Sequence, residues 1–454
     1  MRNGIDAGNR GREAASEAVT LGRILAFFLP LGLSASLVSL SHVIINSTLA
    51  RALHPEATIA AYSIAMSVFI ITERPAVFLR QTCSALAGDR AAFRAVAMVT
   101  VYVLLFTLGF GTFLSFTPAG DWLFQTLFNA GDELLDSVLA SYRILIYVTV
   151  FSAIRCLFHG IIIRNMQTKW LTIGMVVRLA VMYGVSQVII HSDYAIDGRA
   201  GAVIFLSGML VEALVSAWEG RAILRRMPRQ LPESTIRTAR DVFPFYRPLL
   251  VTSFLSVILG PSINAMLGKT SDIVLAIASY AIALSITNIV TSFFTYVHQI
   301  VLNFYTKDAK LVRRFAYVFN LLPAAIIAMF AYTTVGEWVV RAIVGSEGQL
   351  LDESLQVLRV FVLFALIFPW VDFGNGLVLL NKQTKLMAFS QLGNVAATIL
   401  ALIVTVALVP AWNGMVGALA QSVGIAGELA VLIVLLRRME RKRREQDAAG
   451  SSEA

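Results

Sequence analysis

The five residues Asn165 to Lys169 read N-M-Q-T-K, and N-K-Q-T-K returns at Asn381 to Lys385, 216 residues later. This match belongs to a series with a near-constant offset of 218 and then 216 residues, which indicates an internal repeat. The chain therefore contains one structural unit twice, and this duplication decides the fold. Other residues matched at these offsets are Pro30 with Pro248, Asn46 with Asn264, Tyr62 with Tyr280, Gln81 with Gln299, Gly160 with Gly376, Gly208 with Gly424, and Glu212 with Glu428.

The composition places this repeat in a membrane. Hydrophobic residues make up 57% of the 454 residues and charged residues only 14%, far from the balance of a soluble domain. A helix needs about 20 mainly apolar residues to cross the hydrocarbon core. Twelve stretches meet this condition, and we predict transmembrane helices at 21–49, 59–86, 95–116, 139–163, 170–190, 201–224, 243–267, 273–305, 311–333, 357–380, 386–409 and 415–436.

The twelve predicted helices are divided equally between the two repeat units, so each unit has six. Because six is even, both units enter the membrane from the same side, which predicts a parallel repeat. We therefore predict an all-α polytopic membrane protein with two pseudo-symmetric six-helix bundles around a central cleft. The N-x-Q-T-K sequences then form the tight turns between the fourth and fifth helices of each bundle. The predicted divisions are a cytoplasmic N-terminal segment (1–20), the first bundle (21–224), a cytoplasmic basic linker (225–242), the second bundle (243–436) and a basic cytoplasmic tail (437–454).

Lysine and arginine concentrate in alternate loops, which is typical of loops on the cytoplasmic side. The linker and the tail are basic, whereas the loops that carry Asp136 and Asp352 are acidic. This alternation predicts a multi-pass protein of a bacterial-type inner (plasma) membrane with both termini in the cytoplasm. It also accounts for the net charge of +9, so we expect no nucleic-acid partner.

The two parallel six-helix halves meet at a seam. Transporters with this architecture bind substrate at such a seam, near the middle of the membrane. Transport is therefore the expected function, by a monomer in contact with membrane lipid. The sequence has no P-loop and no G-x-S-x-G motif, so we predict no enzymatic activity and no cofactor. Cys83 and Cys156 lie far apart in apolar runs, which indicates neither a disulfide nor a metal site.

Charged side chains inside the predicted helices are the main functional candidates, because a charge at the bilayer centre is costly and is usually paired or functional. Arginine binds carboxylate and phosphate groups in a bidentate fork, so a cationic interior predicts a small anionic substrate. The acids inside the helices could instead neutralise these cations, or couple transport to a proton or a cation. The candidate substrate-binding cations are Arg74, Arg155, His159, Arg178 and His298.

The intramembrane acids have alternative interpretations. Asp372 aligns within one residue of Arg155 across the repeat, so this pair either locks the two halves together or each residue pairs within its own half. Glu212 and Glu428 occupy equivalent positions, which favours structural polar contacts inside each half over proton transfer. We assign Glu73, Asp372, Glu212 and Glu428 to coupling or gating.

Two symmetric pairs of amides also lie inside the helices. If the first two helices of each half line the seam, the side chains of Asn46, Asn264, Gln81 and Gln299 face the cavity and contribute to substrate binding. The alternative is hydrogen bonding between helices.

Two tryptophans mark short segments on the acidic side of the membrane. Trp122 lies in the segment 120–136 and Trp338 in the equivalent segment 336–352. Both segments are predicted to be amphipathic helices that lie in the membrane interface.

Several stretches carry a family resemblance. F-F-L-P-L-G-L-S (27–34), L-H-P-E-A-T (53–58) and A-A-Y-S-I-A-M-S (60–67) resemble the multidrug/oligosaccharidyl-lipid/polysaccharide (MOP) exporter superfamily, which implies a V-shaped, MATE-like bundle over 21–437. Other stretches look most like the progressive ankylosis (ANK) proteins, which implies export of citrate, pyrophosphate or nucleotide. These are A-Y-S-I-A-M-S (61–67), H-G-I-I-I (159–163), L-R-V-F (358–361) and N-G-M-V-G-A-L (413–419).

The resemblance has one clear departure. Prokaryotic extrusion pumps of this kind have an acidic cation site in the first helix, where this chain has His42 and Asn46 but no carboxylate. The competing parallel architecture is the major facilitator fold, and A-G-D-R-A-A-F-R (87–94) lacks the second glycine of its signature. We therefore predict a secondary transporter that exports a small organic or phosphate-bearing anion by alternating access. The alternatives are a flippase for a lipid-linked or amphipathic substrate, cation-coupled multidrug efflux, and a membrane scaffold that transports nothing.

Overall fold

The computed structural model describes residues 19–128, 132–192, 196–341 and 348–452. Within these ranges the regular structure is helical, and twelve helical stretches are long and apolar enough to cross a membrane, which confirms the predicted twelve spans. Parts of four predicted segments lie outside the described residues, namely 1–18 of the N-terminal segment, 129–131 of 120–136, 342–347 of 336–352 and 453–454 of the tail.

The first half is built from seven described helices, of which all but α4 are candidate membrane spans. Polar residues begin several of them by accepting a hydrogen bond from a first-turn N–H group that has no partner inside the helix. Thr20 accepts from the Arg23 amide in this way, and Asp197 from the Arg199 amide. The helices are α1 (Leu21–Leu49), α2 (Pro55–Leu86), α3 (Arg90–Phe116), α4 (Pro118–Phe128), α5 (Asp132–Arg164), α6 (Lys169–Ile190) and α7 (Gly198–Arg226).

The second half repeats this order with two breaks. The span predicted as one helix at 273–305 is α9 followed by α10, and the span predicted at 311–333 is α11 followed by α12. In the second case Pro323 stands at the start of α12, where its missing N–H group costs nothing. The helices are α8 (Ala239–Leu267), α9 (Ile273–Phe293), α10 (Val297–Phe304), α11 (Ala309–Phe319), α12 (Leu322–Tyr332), α13 (Thr334–Val339), α14 (Gln349–Leu380), α15 (Lys385–Leu408) and α16 (Gly414–Ser452).

The two N-x-Q-T-K sequences are tight turns between equivalent helices, as predicted. Met166 and Lys382, the second residues of the two sequences, both have positive φ angles, of 61° and 55°. The threonine of each turn is buried. The Thr168 hydroxyl donates to the Phe27 carbonyl, and the Thr384 hydroxyl donates to the Phe245 carbonyl, each at 2.7 Å. Each turn therefore fastens the first helix of its half.

The predicted amphipathic segments 120–136 and 336–352 overlap with α4 and α13, and each of these helices begins two residues before its segment. Trp122 and Trp338 are both exposed. Gly120 and Gly336 allow the sharp entry into these helices, because a Cβ atom on either residue would overlap the carbonyl oxygen of Leu114 or Phe330. The repeat therefore preserves this connection as well.

Among the described residues, the buried core that the two halves share lies at the end where α1 and α8 begin. One hydrophobic cluster there contains residues of both halves, with Phe28 of α1 packed edge-on against Phe319 of α11 at 4.7 Å. The contact extends to Gly32, where an added Cβ atom would lie 2.7 Å from the Phe293 carbonyl oxygen. Gly32 lies about 16 Å along α1, which is roughly half of the membrane thickness.

Toward the opposite end, the described residues of each half form a separate core. Tyr62 and Phe69 belong to the core of the first half, and Tyr280 and Phe361 to that of the second. The interface between the halves therefore opens toward this end as a cleft, whose floor lies near the level of Gly32.

The basic linker is fixed to the first half by Asp89, which precedes α3. The Asp89 carboxylate accepts hydrogen bonds from the amides of Ala92 (2.7 Å) and Leu231 (2.9 Å). Burial opposes ionisation of this carboxyl, but these bonds and one from the Ser234 hydroxyl outweigh it and lower the pKa of Asp89. The turn between α2 and α3 thus holds the linker as a defined structure.

Candidate functional site

A buried ionic cluster lies in the first half, around Glu212 of α7. Arg178 of α6 donates from Nη1 to Glu212 Oε2 at 2.9 Å, and Arg155 of α5 places its Nη1 at 3.3 Å from both carboxylate oxygens. His159, one turn after Arg155, brings its Nε2 to 3.8 Å from Glu212 Oε1. We call Glu212, Arg178, Arg155 and His159 the cationic cluster. Sequence analysis selected all four residues, and the structure brings them together.

A glycine four residues before each buried glutamate explains this contact. A Cβ atom on Gly208 would lie 2.5 Å from the Met182 Cγ atom and 3.0 Å from the Arg178 Cγ atom. The G-x-x-x-E spacing therefore lets α6 approach α7 closely enough for Arg178 to reach Glu212. Gly424 has the same function in the second half, where an added Cβ atom would meet Thr398 and Asn394.

The equivalent place in the second half has neutral partners. Glu428 is buried, and its Oε2 atom accepts a hydrogen bond from Asn394 Nδ2 at 2.7 Å. Asn394 stands at the repeat position of Arg178. One fold position thus holds an arginine–glutamate pair in the first half and an asparagine–glutamate pair in the second.

Asp372 pairs within its own half and Arg155 pairs with Glu212, which is the second of the two alternatives that the sequence left open. Asp372 accepts from the backbone amide of His298 at 2.8 Å and contacts the His298 Nδ1 atom at 3.0 Å. His298 is the second residue of α10, and its amide has no partner inside the helix because α9 ends at Phe293. Asp372 therefore caps the helix that the break creates, which keeps it away from Arg155.

The cationic cluster has more hydrogen-bond donors than acceptors. Arg178 Nε and Nη2, Arg155 Nε and both ring nitrogens of His159 are buried without a hydrogen-bond partner among the described residues. Arg178 otherwise contacts the Met209 sulfur at 3.1 Å and lies 5.1 Å from the centre of the Phe205 ring, both weaker acceptors than a carboxylate. An additional anion would satisfy these donors.

Of the neighbouring candidates Glu73 and Arg74, Glu73 is connected to the cationic cluster. The Ser152 hydroxyl donates to Glu73, and Arg155 Nη2 reaches the same hydroxyl at 3.5 Å, so Glu73 connects to the cationic cluster through Ser152. Arg74 forms no salt bridge with any residue in the described part of the chain.

The four predicted amides do not converge on one place. Asn46 and Asn264 are exposed, and Gln81 is partly buried with no partner for its Oε1 atom within the described ranges. Gln299 is fully buried, and its Oε1 atom accepts from the Ser84 hydroxyl at 2.8 Å across the two halves. For Gln299, this interhelical hydrogen bond is the alternative to substrate binding that the sequence left open.

No protein-family model matches this chain, and no curated protein matches it. Solved structures do match over nearly the whole length. An MOP-superfamily transporter from Pyrococcus furiosus is 16% identical, with a TM-score of 0.70, over 92% of this chain and 95% of that chain. An outward-facing multidrug resistance MATE transporter is 15% identical, with a TM-score of 0.72, over 92% and 95%. The eukaryotic MATE transporter AtDTX14 is 13% identical, with a TM-score of 0.69, over 94% and 98%. The chain has the MATE fold.

Within the MATE fold of this chain, sequence analysis missed two residues beside the cleft floor. Arg80 of α2 places its guanidinium carbon 4.8 Å from the centre of the Tyr296 ring, which belongs to the other half. Arg80 lies near the end of a predicted helix, where a basic residue is ordinary. Arg80 aligns in the repeat with His298, which was a candidate site residue. This alignment is the signal that could have identified Arg80 from the sequence. The described residues contain no group of three or more side chains that could hold a metal ion.

Proposed function

We propose that this chain is a secondary transporter that moves a small organic or phosphate-bearing anion through the cleft by alternating access. The MATE fold is shared with solved membrane transporters and provides two halves around a central cleft. The observation that carries the proposal is the excess of buried donors on Arg155, His159 and Arg178 that have no hydrogen-bond partner in the described part of the chain. Such donors cost free energy until an acceptor binds, and a carboxylate or phosphate is the acceptor that guanidinium fits best.

The charge balance around the cleft floor supports the same substrate class. Among the described residues, Arg155 and Arg178 share the carboxylate of Glu212, Glu73 connects to Arg155 through Ser152, and Arg80 lies over the Tyr296 ring. Three arginines thus stand near two carboxylates, so this region carries positive charge if His159 is neutral. One similar structure, the Pyrococcus furiosus protein, is described as having a binding pocket of reverse polarity that suggests a different function. The ANK-like stretches add citrate, pyrophosphate and nucleotide as specific candidates.

The basic loops supply an orientation. Their excess of lysine and arginine supports a cytoplasmic location for the shared core of the two halves, and with this orientation the cleft of the structure opens outward. In a bacterial-type inner membrane, with both termini cytoplasmic, an anion released from the cationic cluster would leave the cell.

The first experiment measures uptake of labelled citrate, pyrophosphate and ATP into proteoliposomes. Arg155→Gln is the test variant, because the Arg155 side chain is 12% exposed whereas Arg178 and Glu212 are almost fully enclosed. Arg143→Gln is the matched control, since Arg143 lies on the same helix but contacts the Ser115 carbonyl, far from the cluster. We expect saturable flux of at least one anion, unchanged in Arg143→Gln and reduced at least tenfold in folded Arg155→Gln. Equal flux in the two variants would remove the cluster from the pathway.

A second candidate is cation-coupled multidrug efflux, and the second half favours it. Asp372 and Glu428 are carboxylates without an arginine partner in the described structure, and Glu428 contacts only neutral amides at hydrogen-bond distance. Such acids suit a proton or a metal cation. This function predicts drug flux driven by a pH or sodium gradient, abolished in Glu428→Gln and retained in Arg155→Gln. If no soluble substrate moves, lipid-flipping assays test the flippase alternative.

A further inference from the structure

A basic groove lies on the surface of the second half, where α8 and α15 begin. It encloses about 600 Å³ and is separate from the cationic cluster. Its cations are Arg240, Arg247 and Lys385, and its apolar lining includes Phe243, Pro244 and Phe389. The two phenylalanines are exposed, so the apolar part of the groove lies open beside the cations.

The three cations of the basic groove are not neutralised by the protein. All three are exposed, and none forms a salt bridge with another described residue. Arg240 and Lys385 stand in the first turn of their helices, where N–H groups add positive potential. Arg247 lies eight residues further along α8 than Ala239, or about 12 Å, and is thus inside a candidate membrane span. An exposed arginine at this depth favours an anion that can itself enter the interface.

The repeat provides an internal comparison. The first half conserves the lysine as Lys169, but the positions of Arg240 and Arg247 are occupied by Gly22 and Leu29. The first half folds the same helix start without these arginines, and its threonine turn makes the same contact with α1 that Thr384 makes with α8. The arginines are therefore not needed to build this region of the fold.

We propose that the basic groove binds one anionic phospholipid. The phosphate group would contact Arg240, Arg247 and Lys385, and the acyl chains would lie over the exposed Phe243 and Phe389. Cations at the edge of a transmembrane helix attract acidic headgroups, and their apolar surroundings suit lipid better than a soluble ion. This site is independent of the transported substrate.

The test uses the full chain in detergent, with native mass spectrometry to count bound lipid during titration with phosphatidylglycerol or phosphatidylcholine. We expect one tight phosphatidylglycerol site, weakened about fivefold by Arg247→Gln and about 30-fold by the double variant Arg240→Gln/Arg247→Gln. Arg247→Lys should keep most of the binding and shows whether charge at this position is enough. Lys169→Gln is the control in the first half and should leave the tight site unchanged.

Three results would overturn the proposal. One is equal binding of the neutral and acidic lipids, and another is full phosphatidylglycerol binding by the monodisperse double variant. The third is displacement of the lipid by inorganic phosphate at equal concentration, which would identify a site for soluble anions. Loss of anion flux in the transport experiment would not affect any of these outcomes.

Discussion

The repeat allows one substitution to be tested in two electrostatic surroundings. Glu212→Gln and Glu428→Gln change the same atoms at equivalent buried positions of α7 and α16. At Glu212 the change leaves Arg155 and Arg178 without their carboxylate. At Glu428 the glutamine carbonyl can still accept the hydrogen bond from Asn394.

The expected magnitudes differ because breaking a buried ion pair leaves an uncompensated charge. Removing one partner of such a pair costs about 3–5 kcal/mol. Replacing Glu428 by glutamine exchanges one hydrogen bond for another, which costs about 0–1 kcal/mol. We therefore expect Glu212→Gln to be less stable than Glu428→Gln by about 3 kcal/mol, which is more than 100-fold in the ratio of folded to unfolded protein.

The assay is reversible unfolding in mixed micelles of dodecyl sulfate and a mild detergent, at one pH and one lipid content. A partial rescue is expected when Arg178→Asn is added to Glu212→Gln, because the double variant has the same asparagine–glutamine contact that Asn394 makes in Glu428→Gln. Equal losses of stability in the two single variants would refute the reasoning. So would a larger loss in Glu428→Gln.

Three further predictions concern packing, the repeat turn and the linker. Gly160→Ala should cost about 1–3 kcal/mol, because the new Cβ atom would lie 2.4 Å from the Cys83 Cβ atom; unfolding midpoints in detergent measure this. Thr168→Val should cost about 1 kcal/mol in the same assay, because it removes the buried hydrogen bond to the Phe27 carbonyl. Asp89→Asn should flatten the loss of thermal stability as the pH falls below about 5, because the unfolded carboxyl binds protons around its ordinary pKa whereas the lowered pKa keeps Asp89 ionised in the folded protein to lower pH. The sign follows because a lowered folded-state pKa stabilises the protein above the unfolded pKa, and this stability is lost as the pH falls.

Each of these predictions has a control. Gly109→Ala places a Cβ atom in open space and should leave stability unchanged or slightly raised, so an equal cost at Gly160 and Gly109 would contradict the packing argument. Thr384→Val should cost as much as Thr168→Val, and a clear difference would mean that the two turns are not equivalent. A pH profile of Asp89→Asn that matches the original chain would show that this carboxylate stays in its ordinary state.

The number of helices and their repeat are properties of the sequence alone. About 20 apolar residues in a row predict a span without reference to any other part of the chain, because the solvent of a transmembrane helix is the lipid. The constant offset that joins Asn165 to Asn381 also predicts the equivalent turns, which the structure confirms. Candidate site residues were found in the same way, since a charge inside an apolar run is rare and costly.

The breaks and the pairing of charges were decided by tertiary structure. The predicted helix 273–305 is interrupted after Phe293, and Asp372, on a different helix, stabilises the break by accepting a hydrogen bond from the His298 amide in the first turn of α10. Apolar composition cannot show this, since the partner lies 74 residues away. In the same way, Arg178 reaches Glu212 because Gly208 lets α6 and α7 pack closely, and a distance between helices is set by side chains that meet only in the folded protein.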